Sequence, residues 1–197
     1  PSMSLPVLFV QRNDAYYLDF SLQQVHATNP GNPIYLLGSN ITPRHEFVTY
    51  IDIDTYAEAM RPFERVYRHM STNPYDYEFI CFVRWFAMLA FCRERGITSF
   101  LYLDPDALIY SDIDAYFGRL DCAFTISTDG CPHCAYFSSI SWLERFCRFM
   151  LHLFEDAELS RRLEEKWKHH QDHQIPGGVC DMTAFYEFMN QYPDCPV

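Results

Sequence analysis

Lysine is almost missing from this chain: Lys166 and Lys168 are the only two among 197 residues, and Lys plus Arg number 15 against 26 Asp plus Glu. The resulting net charge of −11 excludes a broad phosphate-tracking surface of the kind that DNA and RNA binders present. A small phosphorylated ligand is not excluded, because a bound cation dominates the field at its own site and can supply positive charge there. No stretch is long enough to cross a bilayer. The longest apolar run, Phe79 to Cys92, is broken by Arg84 and falls short of the roughly 20 residues that a spanning helix takes. The opening Pro1-Ser2-Met3-Ser4-Leu5 has neither the basic region nor the apolar core of a signal peptide. That sets the expectation of a cytoplasmic protein, with Pro1-Ser2 read as a cloning scar.

What is present is a core. Hydrophobic residues make up 49% of the chain and aromatics 17%, far more than a disordered segment carries. With no internal repeat and no low-complexity linker, residues 1–197 are expected to form a single domain. The eight cysteines, Cys81, Cys92, Cys122, Cys131, Cys134, Cys147, Cys180 and Cys195, are scattered through apolar stretches rather than arrayed as a small secreted framework, so most are expected as reduced core residues.

Along the chain, Val7 to Val10 reads as a strand, and Asn13-Asp14 as a possible cap for a helix over Tyr16 to Ala27. After the break at Pro30-Gly31-Asn32-Pro33, Ile34 to Leu37 reads as a second strand. Strand, helix and strand within about 30 residues make a βαβ unit with parallel pairing. A third strand over Glu46 to Ile51, an amphipathic helix over Tyr56 to Met70 and a long helix over Tyr77 to Arg95 follow. Short strands are expected at Ala123 to Ile126 and Ala135 to Phe137, with helices over Ser141 to Phe154 and Ala157 to His169.

The informative strand is Ser99 to Leu103, because it delivers Asp104-Pro105-Asp106 to the strand end, where open α/β sheets bind ligands. Two carboxylates flanking one residue can jointly face a hard cation that keeps positions free for phosphate oxygens. Asp52-Ile53-Asp54 and Asp112-Ile113-Asp114 show that the triplet alone is common here, and capping carboxylates in a turn give the same pattern. Asp104 and Asp106 rank first because a five-residue apolar strand leads directly into them and a second apolar run, Ala107 to Tyr110, follows. Arg84 is the second informative residue, since nearly all its neighbours are apolar and a buried guanidinium needs an anionic partner. A diphosphate would satisfy it, and so would Asp104 or a nearby glutamate in a purely structural ion pair.

Arg84 on a helix, then Phe100 to Asp106, then Ser111 to Phe117 resembles the order found in GT-A glycosyltransferases of the retaining type that use nucleotide sugars. The resemblance implies an α/β Rossmann-like fold with a mostly parallel central sheet and helices on both faces. It implies a glycosyltransferase of hexosyltransferase type that moves a sugar from a nucleotide diphosphate donor, UDP by preference, to a saccharide or other hydroxyl acceptor. It also implies Mn²⁺ or Mg²⁺ on Asp104 and Asp106, with Arg84 and Asp104 contacting the donor. Val10-Gln11-Arg12-Asn13 resembles the first strand and nucleotide-contacting loop, which makes Gln11, Arg12 and Asn13 donor-binding candidates. Gly177-Gly178 and the segment to Thr183 resemble an active-site lining of a bacterial subgroup. Asp181 is a candidate catalytic carboxylate there, although it also suits a helix cap. The later histidine and lysine of related transferases have no evident counterpart before Pro196-Val197, so the chain is expected to be C-terminally truncated or a degenerate member. His169, His170 or, by preference, His173 could supply a third metal ligand, although a histidine cluster at a polar helix end is also commonly just solvated.

Two other readings stay open. Cys131-Pro132-His133-Cys134 has the spacing of a thioredoxin-like disulfide oxidoreductase, in which the first thiol is activated at a helix N-terminus, and Ile175-Pro176 lies where such a chain places its cis proline. Neither Thr128-Asp129-Gly130 nor Gly177-Gly178 provides the strand that this fold needs beside them. A zinc site at Cys131, His133 and Cys134 lacks an evident fourth ligand. The remaining reading is a nucleotide-sugar-binding domain without catalysis.

Overall fold

A computed structural model describes residues 4–127 and 130–192. The expectations placed on Pro1-Ser2, Thr128-Asp129, Cys195 and Pro196-Val197 lie outside these residues. The sheet is built from β1 (Val7–Arg12), β2 (Ile34–Ser39), β3 (Val48–Asp52), β4 (Phe100–Leu103) and β5 (Cys134–Phe137), in the spatial order β3-β2-β1-β4-β5. β1 pairs in parallel with both β2 and β4, β2 pairs in parallel with β3, and β5 runs antiparallel to β4. This is the mostly parallel sheet expected from the βαβ reading, closed on one edge by a reversed strand.

The strands read as nearly continuous apolar runs because both faces of the sheet are covered. Val7, Phe9, Leu36, Leu101 and Leu103 pack against α1 (Tyr16–Thr28) and α4 (Ile113–Phe117). Leu8, Val10, Leu37, Phe100 and Tyr102 belong to a larger core on the other face. That core is supplied by α2 (Ala57–Val66), α3 (Tyr75–Arg95), α5 (Ile140–Glu155), α6 (Ala157–Asp172) and α7 (Asp181–Gln191). The middle of α3 lies inside it: Phe82, Val83, Trp85, Ala87, Met88, Phe91 and Cys92 have no solvent exposure. Among the described residues no helix is long and apolar enough to cross a membrane.

Several local expectations shift. Asn13 and Asp14 do not cap α1: the N-cap is Ala15, without a side-chain bond, and Asp14 instead accepts from the backbone N and hydroxyl of Thr42. α2 stops at Val66 rather than Met70, and a 3₁₀ turn over Ile53–Tyr56 precedes it. The backbone beyond is used elsewhere: Val179 N donates to Met70 O at 2.8 Å, and Thr72 N donates to Gly177 O at 3.0 Å. Ala123 to Ile126 forms only a bridge at Phe124 with Phe137, not a strand. α3 ends as read, at a left-handed Gly96 (φ 66°) that costs glycine no Cβ clash.

β1 leads to β2 and β3 on one side, and the chain then crosses to β4 on the other. The carboxyl ends of β1 and β4 therefore flank the point where the strand order reverses, which is where open α/β sheets form a crevice.

Candidate functional site

A cleft of about 680 Å³ opens at that point. Its floor combines the end of β1, Val10 to Asn13, with Asp104, Pro105 and Asp106 at the end of β4. One wall comes from the start of α3 and the turn before it, including Asn73, Tyr77, Glu78, Cys81 and Arg84; Cys131-Pro132 and Cys180 to Met182 complete the rim. The loop that carries the two aspartates is fixed from behind by α1. Ser21 Oγ donates to Pro105 O at 2.6 Å, Thr28 Oγ1 to Ile109 O at 3.1 Å, and Asn29 bonds both Ser111 O and Ile113 N. On the other side Asp104 N donates to His133 O at 2.8 Å, which extends the β4–β5 ladder by one bond.

At the centre of the wall Arg84 is buried between two acids. Nη1 donates to Asp104 Oδ1 at 3.0 Å and Nη2 to Asp181 Oδ2 at 2.7 Å, while Trp85 Nε1 donates to the same Asp181 oxygen at 3.0 Å. Tyr102 Oη, at the end of β4, accepts from Arg84 Nη1 and donates to Asp104 Oδ1. Burial works against the Arg84 charge, but the carboxylates of Asp181 and Asp104 outweigh it and hold the guanidinium protonated. Burial, and then the neighbouring Asp104, keep the Tyr102 phenol neutral. A buried cation that has lost water needs such complete pairing. Of the two partners that the sequence allowed for Arg84, the structure provides the acidic side chains.

The three Asp-x-Asp triplets separate by position as much as by engagement: Asp52 and Asp54 also keep carboxylate oxygens without partners among the described residues, but they line a different cleft beside β2 and β3, away from Arg84 and Asp181. Asp52 accepts from Asp54 N, and Asp112 caps α4 through Ala115 N. Asp114 Oδ1 accepts from Leu5 N and Asn32 Nδ2. Asp104 uses Oδ1 on Arg84 and Tyr102, while its Oδ2 and the whole exposed carboxylate of Asp106 have no hydrogen-bond partner among the described residues. Both line the cleft. Two free carboxylate edges of this kind fit a hard divalent cation that takes its remaining positions from water and phosphate oxygen. No third His, Cys, Asp or Glu joins them, since no group of three such side chains is gathered among the described residues. His173 is not brought to the cleft. It ends α6, exposed, with Nδ1 bonded to His169 O at 2.9 Å, and its ring lies 4.2 Å from that of His169.

Gln11, Arg12 and Asn13 all reach the cleft. Gln11 Nε2 donates to the carbonyls of Arg12 and Asn13, and Asn13 takes a left-handed φ of 66° as the chain leaves the strand. Arg12 has no carboxylate within ion-pair distance among the described residues, and its Nε is buried without a partner. Gly177 and Gly178 do not line the cleft; they form a short antiparallel bridge with Ser71 and Thr72. A Cβ on Gly178 would stand 2.2 Å from Met70 O, and its φ of 156° lies outside the usual range of L residues, so glycine is required for this close approach. The bridge sets Cys180 and Asp181 beside the cleft. Asp181 is the first residue of α7 rather than its cap, which is Cys180, and its side chain turns inward to Arg84.

Sequence reasoning missed Asn73, Tyr77, Glu78 and Tyr102. Glu78 was within reach of a helical-period argument: it lies three, four and seven residues before Cys81, Phe82 and Trp85, on the same stripe of α3. It is 2% exposed, and burial raises its carboxyl above the ordinary value.

The disulfide-oxidoreductase reading is not favoured. Cys131 lies in a loop and Cys134 opens β5, so no helix N-terminus stands behind the first thiol. Burial, and then Asp104, push the Cys134 thiol up to about 11. No cis peptide bond precedes Pro176, and no zinc-holding set includes Cys131, His133 and Cys134. The cysteines among the described residues are free.

No family model matches the sequence, and no curated protein matches it either. Among solved structures, the fold is similar to that of apo mouse xyloside xylosyltransferase 1, with a TM-score of 0.59 at 12% identity over 98% of this chain and 83% of that one. The glycosyltransferase GlyE of Streptococcus pneumoniae TIGR4 also aligns, with a TM-score of 0.44 at 14% identity over 89% of this chain and 52% of that one. The fold is therefore glycosyltransferase-like.

Proposed function

We propose that this chain is a glycosyltransferase that takes a sugar from a nucleotide diphosphate donor, UDP by preference, and passes it to a hydroxyl of a saccharide or similar acceptor. The observation that carries the reading is the pair of unengaged carboxylate edges at Asp104 and Asp106, which share one cleft with the unpaired Arg12. In a chain of net charge −11, a cation seated on the first two and a guanidinium on the third are what a diphosphate needs. Asp104 and Asp106 would hold Mn²⁺ or Mg²⁺, which when bound supplies positive charge opposite the departing diphosphate.

The protein's own groups do the rest. Arg84 and Tyr102 grip one oxygen of Asp104, so its other oxygen has a fixed direction before any ligand arrives, and such preorganisation avoids rearrangement in the transition state. Asp181, a candidate catalytic carboxylate by sequence, has the better-supported role of positioning Arg84, because its Oδ2 already serves Arg84 and Trp85. Arg12 and the Gln11 to Asn13 backbone would take the nucleotide side. The hexosyltransferase type expected from sequence is the finer part of the proposal, and the xylosyltransferase name of the mouse protein makes a pentose donor an equal candidate.

Calorimetric titration with UDP, GDP and ADP, each with Mn²⁺ and with chelator, tests this. Binding should tighten with metal, and the tightening should vanish in Asp106→Ala while thermal stability stays within about 0.5 kcal/mol of wild type. Nucleotide binding indifferent to metal, or no binding at all, would overturn the reading.

A further inference from the structure

Asn73 stands in the cleft wall, in the turn between α2 and α3, and almost every polar group it carries already has a partner. Its backbone N donates to Ser71 Oγ at 3.1 Å, its backbone O accepts from His69 Nε2 at 3.0 Å, and its side-chain Nδ2 donates to Glu78 Oε1 at 2.6 Å. Oδ1 is the exception: it has no partner among the described residues, and it is not one of the buried unpartnered atoms, so it meets the solvent of the cleft. Glu78 decides this orientation. A carboxylate oxygen only accepts, so the nitrogen end of the amide must face it and the oxygen end must face away.

Glu78 is itself hard to explain by packing. It is 2% exposed, its Oε2 is buried with no partner, and no arginine or lysine pairs with it. An acid held like this costs stability, and costs of this kind tend to persist where they orient a functional group. The turn it holds is also pinned from the far side by the Gly177–Gly178 bridge to Ser71 and Thr72, so Asn73 is positioned by three independent contacts. The exposed ring of Tyr77 and Asp181 at the start of α7 line the same cleft. A flat apolar face and an oriented acceptor in one cleft suit a sugar ring, with its apolar C–H face and its hydroxyl edge.

We infer that Asn73 reads a hydroxyl of the donor sugar, which donates to Oδ1, and that Glu78 is the positioning residue that keeps this oxygen turned into the cleft. The inference rests on the nucleotide-sugar reading above. It adds the wall on which the sugar lies, away from the nucleotide side at Gln11 to Asn13.

The test compares UDP with UDP-glucose, UDP-galactose, UDP-N-acetylglucosamine and UDP-xylose, in Mn²⁺, on wild type and on Asn73→Ala, Glu78→Leu and Glu78→Gln. For the sugar that wild type prefers over UDP, Asn73→Ala and Glu78→Leu should each weaken binding by about 2- to 10-fold, with UDP affinity unchanged. Glu78→Gln, whose side-chain oxygen can still accept from Asn73 Nδ2, should restore most of the loss, which a general loosening of the wall would not allow. Equal weakening of UDP and UDP-sugar, no effect on either, or a wild type that distinguishes no sugar from UDP would each overturn the inference while leaving the nucleotide site standing. A wild type that binds neither UDP nor any UDP-sugar would overturn the inference together with the choice of UDP on which it rests, and binding of no nucleoside diphosphate at all would remove the underlying reading as well.

Discussion

Two arginines look into the same cleft, and the molecule treats them in opposite ways. Arg84, on the α3 wall, is enclosed by Asp104, Asp181 and Tyr102 and stacks its guanidinium near the rings of Trp85 and Tyr102. Arg12, at the end of β1, is half-buried, and no acid is set against it. Among the described residues Arg12, Arg65, Arg119 and Arg145 have no ion pair, and of these four Arg12 is the one that lines the cleft. The contrast separates two uses of a positive charge: Arg84 organises the protein's own carboxylates, whereas Arg12 is available to an anion that comes from outside.

Breaking the first side of the contrast should have the largest effect. Arg84→Met leaves the buried Asp181 and the half-buried Asp104 without their cation, and removing one member of a buried pair costs about 3 to 5 kcal/mol. Denaturant unfolding should register that loss. Arg84→Lys should recover only part of it, because one ammonium cannot reproduce the two-pronged grip on two carboxylates. If Arg84→Met unfolds at the wild-type denaturant concentration, the enclosed cluster does not hold the wall together.

The second side predicts the reverse pattern. Arg12→Ala should leave stability within about 0.5 kcal/mol of wild type and weaken UDP binding by roughly 10- to 100-fold, as expected for loss of a charge-assisted hydrogen bond. The wild-type affinity should also fall with added salt more steeply than that of the variant. Isothermal titration at two ionic strengths reads both effects, and a variant that binds UDP like wild type would assign Arg12 to packing alone.

A smaller effect sharpens the comparison through Glu78, the wall acid with no cation. Burial raises its carboxyl above the ordinary 4.5, Asp181 adds to the rise, and the Asn73 hydrogen bond, His69 and Ser71 oppose it. Between 4.5 and the raised value the folded state holds the proton more tightly than the unfolded chain, so stability declines as pH climbs through that interval. Glu78→Gln removes this contribution, and its stability relative to wild type should therefore improve from pH 4 towards pH 7. A difference that stays flat with pH would mean that Glu78 folds with its ordinary affinity for protons. The smallest effect belongs to Cys131→Ser. Neither Arg84 nor Arg12 contacts this thiol, and it should change UDP affinity by less than about twofold, in keeping with the small effect of substitutions away from structural features.

Much of this arrangement was legible in the sequence where its cause is local. Val7 to Val10, Ile34 to Leu37 and Ser99 to Leu103 are short apolar runs without alternation, and both faces of the sheet they form are covered, as such runs imply. The placement of Asp104 and Asp106 at a strand end followed from the same runs. What stayed illegible depends on contacts made across long separations. Arg84 had two admissible kinds of partner, and the choice of Asp181 is made by a hydrogen bond spanning 97 residues. The early end of α2 follows from the pairing of Met70 to Thr72 with Gly177 to Val179, about which the sequence near Val66 carries no signal. Asp14 looked like a cap because caps are judged by neighbours, yet its partner Thr42 lies 28 residues away.

The bridge at Gly178 also has a consequence in time. A ribosome releases this chain from its amino end, so all five strands and the aspartate loop are made before the segment that supplies Asp181. Until then Arg84 has only Asp104 and Tyr102 to bond, and the turn bearing Asn73 lacks the backbone that pins it. The wall of the cleft is thus completed only once α7 is in place.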